Sequence, residues 1–225
     1  EPFEWSFRNH VESVLSKSGC NSGACHGAKA GQNGFRLTLF GFDLQADYSY
    51  LTRQARGRRV VLSDPGRSLM LTKPTGALPH RGGVRLEVNG PEYRVLAEWI
   101  AAGTPGPSDQ DAIIERVEVL PEYSSQQPGN RQQLVVLAHF NDGHVEDVTR
   151  WAKYTTVNRS VATVGKHGEV EIVGPGEGAV KVWYLNLNQL AFLTVPYDNQ
   201  LDPELFEQER RNNFIDEHVL GKLQA

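Results

Sequence analysis

Cysteine is nearly absent from this chain: there are two in 225 residues, Cys20 and Cys25, both near the start. A disulfide framework of the kind that staples small secreted domains is excluded, and everything after Cys25 must hold by packing alone. Methionine occurs once, at Met70. No run of about 18 apolar residues exists, so no segment reads as a membrane span, and the start at Glu1 carries neither the basic nor the apolar region of a signal peptide. A basic excess is missing too. With 23 Lys and Arg against 27 Asp and Glu, the net charge is −4 and the pI near 6.0, so no footprint for nucleic acid is present. No Ser/His/Asp order, phosphate loop or metal-type carboxylate cluster stands out, and no catalytic site is expected.

What is present concentrates in one stretch, Ser18-Gly-Cys-Asn-Ser-Gly-Ala-Cys-His-Gly27, where His26 directly follows the second cysteine. Three chemistries compete for it. A Cys20–Cys25 disulfide closing a small loop needs no cofactor but leaves His26 without a role. A structural zinc wants four nitrogen or sulfur ligands, and no second cluster at ligand spacing follows. Covalent haem uses all three residues: Cys20 and Cys25 as thioethers to the porphyrin vinyls, His26 as proximal ligand to the iron. Four residues separate the cysteines where the usual attachment run has two, and Asn21, Ser22 and Gly23 are turn formers that let the longer bridge bulge. For the distal side of the iron the candidates are His10, Met70 and His80. Met70, between Leu69 and Leu71, reads as a core gap-filler. His80, in Leu-Pro-His-Arg-Gly-Gly, is preferred, with Met70 as the alternative.

The apolar spacing of Phe3, Phe7, Val11, Val14 and Leu15 predicts a helix from Pro2 to Cys20. Tyr93, Leu96, Trp99 and Ile100 predict a second, stopped by Gly103 and Pro105. Between them a Pro- and Gly-rich stretch reads as ordered loop wrapping a haem, while Phe35 to Asp43 alternates like a short strand whose Phe35, Phe40 and Phe42 line the cleft. After Pro107 the texture becomes short β-branched runs separated by turns, which reads as an antiparallel sandwich. The residues from 201 onward read as a helix with Asp202 as N-cap and Phe214, Ile215, Val219 and Leu220 on one face.

The stretches from Phe7 to Asp43, Gly57 to Gly83 and Glu92 to Pro105 resemble the planctomycete-type cytochrome c domain, in which four residues between the cysteines are the norm. The resemblance covers about the first half of the chain. The second half, through Asp147-Val148-Thr149, is similar to group 2 bacterial Ig-like domains. Together these imply a multidomain fold class: a mainly α-helical cytochrome c-like domain over 1–107, an all-β Ig-like sandwich over 111–198, and a C-terminal helical segment over 201–225 that opens a following domain of a larger exported protein.

The function expected from these readings is electron transfer through one covalently attached haem c, held by Cys20 and Cys25 with His26 and His80 on the iron. The site would be exported, periplasmic or cell-surface, because covalent haem attachment in bacteria happens outside the cytoplasm. Its partner would be a redox protein or the following domains. Two alternatives belong to other classes. One is a haem-linked sensor or peroxide-reactive site with a displaceable distal ligand. The other is a polysaccharide- or surface-binding module with accessory haem, in which Trp151, Trp183 and Tyr184 stack on sugar. Asp142, Glu146 and Asp147 are close enough in sequence to suggest calcium, although acids at a hairpin turn are commonly only solvated.

Overall fold

The computed structural model of the chain describes residues 3–198 and 204–224. Helix α1 (Glu12–Lys17) is entered through a π-turn over Phe7–Val11, capped by the Ser6 hydroxyl, which accepts the N–H of Asn9. Helices α2 (Leu44–Thr52), α3 (Leu69–Thr72) and α4 (Pro91–Ala101) follow. Asp43 caps α2 by accepting the N–H of Ala46, and Pro91 starts α4 where its missing N–H is no loss. The helix expected from Pro2 to Cys20 is thus shorter. Phe3 and Trp5 lie outside it and stack instead against each other and against His10, with centroids 4.5 and 5.2 Å apart. Phe35 to Asp43 is not a strand. It carries a 3-10 turn at Leu39–Gly41 in which Phe40 and Gly41 both take positive φ, which breaks any ladder.

Among the described residues ten strands follow: β1 (Ile114–Leu120), β2 (Tyr123–Ser125), β3 (Arg131–Gln133), β4 (Val135–Phe140), β5 (Val145–Asp147), β6 (Lys153–Thr156), β7 (Ala162–Val164), β8 (Glu169–Ile172), β9 (Gly176–Tyr184) and β10 (Leu187–Val195). They form three sheets, ordered β1-β4-β5, β2-β10-β9-β6 and β3-β8-β7. All pairs are antiparallel except β2 with β10. The run from Arg131 to Phe140 changes sheets at Leu134, which is fully buried and gives its N–H to the Gly168 carbonyl.

The expected fold class, a mainly α-helical cytochrome c-like domain followed by an Ig-like sandwich, is therefore corrected. Sheets set the architecture, the helices are short, and Glu1–Val195 forms one compact unit. The physical reason is local. Glycine or proline interrupts helical pattern soon after it starts, as at Gly19 and Gly103, so apolar periodicity in the first hundred residues builds short helices joined by turns.

Two hydrophobic cores share this unit. One gathers Phe7, Val11, Leu51, Leu71, Leu96 and Trp99; the other gathers Val136, Phe140, Ile172, Val180, Tyr184 and Leu193. Trp151 packs against both. Polar bonds also join them: Asn9 donates its side-chain amide to the Ala112 carbonyl at 2.9 Å, and the buried Tyr184 hydroxyl donates to the Asn9 carbonyl at 2.8 Å.

A second unit, Pro196–Ala225, contains α5 (Glu204–Gln208) and α6 (Phe214–Gln224). The single helix expected here is divided because Asn213 caps α6: its side chain accepts the Ile215 N–H while Asp216 accepts the N–H groups of Asn212 and Asn213. Asp202, the expected cap, lies outside the described residues.

Tyr184→Phe leaves the Asn9 carbonyl buried without its donor, so urea unfolding should show a stability loss of about 1–2 kcal/mol with an unchanged m-value. An unchanged midpoint would show that the bond contributes nothing to joining the two cores.

Candidate functional site

Helix α1 closes with Gly19 at φ +74, the Cys20 N–H reaching the Leu15 carbonyl at 2.8 Å and the Gly19 N–H reaching Ser16 at 3.1 Å. This pairing ends the helix and delivers Cys20 at its tip. The chain then folds back on itself. The Cys25 N–H bonds the Ser22 carbonyl at 3.0 Å and the His26 N–H bonds the Cys20 carbonyl at 2.9 Å, so four intervening residues bulge without spreading the loop. Gly27 has to be glycine, since a Cβ there would lie 2.0 Å from the Asn21 carbonyl oxygen.

Asn21 pins the loop from inside. Its side-chain amide donates to Glu12 Oε1 and Ser16 Oγ, both at 2.7 Å, and both Asn21 and Glu12 are buried. Burial pushes the Glu12 carboxyl up to about 8, with the Asp47 charge adding and the Asn21 bond opposing. Cys20 and Cys25 are free thiols, so the disulfide considered for this loop is absent. Burial, with Cys25 adding to it and Arg85 opposing, pushes the Cys20 thiol up to about 12. It remains an S–H at neutral pH.

The His26 and His80 rings face each other with centroids 6.3 Å apart and planes 14° from parallel. His26 Nδ1 is 3.1 Å from the Phe35 carbonyl oxygen, and His80 Nδ1 is 2.8 Å from that of Gly83. A carbonyl only accepts, so each Nδ1 carries a proton, and in the neutral form of either ring Nε2 is the nitrogen with the free lone pair. Burial lowers the pKa of His26, with the Phe35 carbonyl opposing and His80 and Arg59 also lowering it, which favours the neutral imidazole. Gly82 makes room for the second ring: a Cβ there would stand 2.8 Å from His80 Cε1.

Several residues that sequence reasoning missed frame this pair. Arg59, 6% exposed, lies 4.3 Å from the Phe35 ring and donates to the carbonyls of Tyr50, Gln54 and Gly34. Arg85 donates to the Gly82 carbonyl and reaches to 3.9 Å from Cys25 Sγ. On the segment that carries His80, the apolar Leu78, Val84 and Val88 stand exposed at 41, 68 and 63%. No periodicity marks these positions; only the fold collects them.

The other sequence candidates separate. Met70 is buried in α3 within the first core. Of the proposed wall, Phe35 is half-buried against His26 at 4.5 Å, whereas Phe40 and Phe42 are 47 and 91% exposed. The calcium reading is corrected: Asp142 bonds His144, Asp147 accepts the Thr149 N–H, and Glu146 lies between His10 and His144, each at 3.4 Å. Among the described residues no group of three or more His, Cys, Asp or Glu is placed to hold a metal ion. Tyr184 is buried and bonded to Asn9, so it cannot stack on sugar, while Trp151 and Trp183 line one cleft.

No protein-family model matches the chain. No curated protein matches it either. Solved structures with partial similarity include domains 4 and 5 of the S-layer protein SbsC (15% identity, TM-score 0.33, 39% of this chain and 54% of that one) and its domains 5–6 (16% identity, TM-score 0.34, 41% and 48%). The chain spans about half the length of each of these structures. The resemblance to planctomycete-type cytochrome c and group 2 Ig-like domains is thereby overturned. No family model and no curated protein supports it, and the chain is built on sheets with short helices where that likeness implies a mainly helical haem domain.

The folded chain holds a proton on Glu12 that the unfolded chain releases, so stability should fall as pH rises from about 4.5 through about 8. Glu12→Gln keeps an acceptor for Asn21 and removes that loss. Urea midpoints of the two proteins should lie close together at pH 4 and separate in favour of the variant at pH 9. Equal midpoints at pH 9 would show that Glu12 is not held protonated.

Proposed function

We propose that this chain carries one haem c, bound through Cys20 and Cys25 and ligated by His26 and His80, and that it transfers electrons. The observation that carries the reading is the facing pair of imidazoles. The His26 and His80 ring centroids are 6.3 Å apart with planes 14° from parallel, and these two imidazoles would hold the iron. The absence of a larger metal cluster is compatible with this, because a porphyrin brings four nitrogens of its own and asks the protein for two ligands.

The surroundings fit the group. Each thiol would add its S–H across a vinyl double bond, sulfur to one carbon and hydrogen to the other, with no net oxidation. Leu78, Val84 and Val88 are exposed apolar side chains on the same segment as His80, and Arg85, 3.9 Å from Cys25 Sγ, would offer a guanidinium to the haem carboxylates. The bound haem would supply one-electron chemistry at an iron saturated by two imidazoles. The protein's part is to hold both rings through the carbonyls of Phe35 and Gly83, which fix their orientation and strengthen them as ligands. Two imidazoles favour ferric iron more than a His/Met pair does, so the potential should lie low in the roughly 0.8 V range that axial ligands span.

The exported, periplasmic or cell-surface setting belongs to this proposal, since attachment happens outside the cytoplasm. So do its partners, a redox protein or further domains of the same polypeptide. Among the described residues no helix is long and apolar enough to cross a membrane.

Coexpression with a haem-attachment system should give a protein whose mass is increased by one haem that survives acid–acetone extraction. His80→Ala should then turn the iron high-spin or open it to added ligands, and Met70→Leu, a nearly volume-conserving core change, should leave the spectrum unchanged. The apo mass alone, or loss of the low-spin spectrum in Met70→Leu with His80→Ala silent, would overturn the assignment.

A further inference from the structure

A cleft of about 170 Å³ lies between α1 and the sheet edge formed by β6 and β9, lined by Trp151, Trp183, Phe40, Leu185, Lys17 and Lys153. Ser16 and Thr155 add hydroxyls, and no carboxylate lines it. Phe40 and Trp183 face across it with centroids 6.3 Å apart and planes 32° from parallel. Lys181 Nζ sits 4.4 Å from the Trp183 ring and adds positive charge at the margin. The charges are unevenly committed. Lys17 donates to the Arg150 carbonyl and stands 4.0 Å from Glu92, whereas Lys153 has no carboxylate partner among the described residues.

Two of the apolar side chains are held there at a conformational cost. Phe40 has φ +54 and Leu185 has φ +51, a left-handed backbone that bulky residues rarely adopt. Leu185 occupies the two-residue turn between β9 and β10, where glycine, asparagine or aspartate would relieve the strain. Phe40 stands where its N–H bonds the Asn21 carbonyl at 3.2 Å. Both strained residues point their side chains into the same cleft, and strain of this kind gathers at binding sites.

We propose that this cleft binds a uronate ring of an acidic saccharide. The apolar face of the sugar would stack on the indole rings, its carboxylate would meet Lys153 and Lys17, and its hydroxyls would exchange bonds with Ser16 and Thr155. Neutral sugars would leave Lys153 without a counter-ion. A flat aromatic acid would leave the hydroxyls unmatched. Neither His26 nor His80 lines this cleft, and the proposal does not depend on haem.

Tryptophan fluorescence of the full chain, titrated with a galacturonate trisaccharide, tests it. Saturable binding is expected, weakening with salt, while the neutral trisaccharide of galactose and plain benzoate bind at least about tenfold more weakly. Trp183→Ala should reduce affinity about tenfold or more, and Lys153→Ala, at an exposed position without a partner, about threefold with a shallower salt dependence. Lys153→Ala guards against misfolding in the tryptophan variant. Absence of binding, equal binding of the neutral trisaccharide or of benzoate, or wild-type affinity in a folded Lys153→Ala would each overturn the proposal.

Discussion

The buried hydrogen bond from Asn21 to Glu12 is where the parts of this structure meet. Asn21 belongs to the loop between the two cysteines and Glu12 to the first turn of α1, so the bond ties the loop to the helix that enters the core. The same residue's carbonyl receives the Phe40 N–H and lies against Gly27, directly after His26. One buried residue thereby fixes the cysteine loop, the backbone beside His26 and the turn that brings Phe40 to the cleft. Such a bond persists because breaking it would leave Glu12 Oε1 buried without a partner, a cost of about 1–3 kcal/mol.

The histidine pair depends on a second kind of constraint. Neither ring is positioned by another side chain's charge. Both are set by main-chain carbonyls, at Phe35 and Gly83, that follow the histidines in their own loops. Local backbone thus decides the tautomer of each ring, and the fold has only to bring two self-sufficient loops face to face. The long Pro- and Gly-rich segment between α2 and α4 makes this economical, because its turns need no partner strand.

How much of this was legible from sequence follows from the range of the interactions. The pairing of Cys20, Cys25 and His26 is local, and His80 stood out by its flanking proline and glycines. The helix over Pro91–Ala101 was plain from its spacing and from Gly103, and the β-branched runs mark where strands form. Their assembly was not legible. Nothing in the alternation of Arg131 to Phe140 says that the chain changes sheets at Leu134, or that β2 pairs in parallel with β10. The family likeness misled as well, because short motifs fix a loop without fixing an architecture. Arg59, the carbonyls of Phe35 and Gly83, and the buried state of Glu12 arise from contacts between distant segments, and no local pattern announces them. The cleft has the same origin, joining Phe40 to Trp183 across more than half the chain.

The proposed ligation of one iron by His26 and His80 as near-parallel imidazoles is read directly by electron paramagnetic resonance of the ferric, haem-loaded protein. Near-parallel ligand planes split the iron d orbitals rhombically, so a low-spin spectrum with three resolved g-values is expected. A high-spin axial signal, or the single strongly shifted low-spin feature of perpendicular imidazole planes, would contradict it.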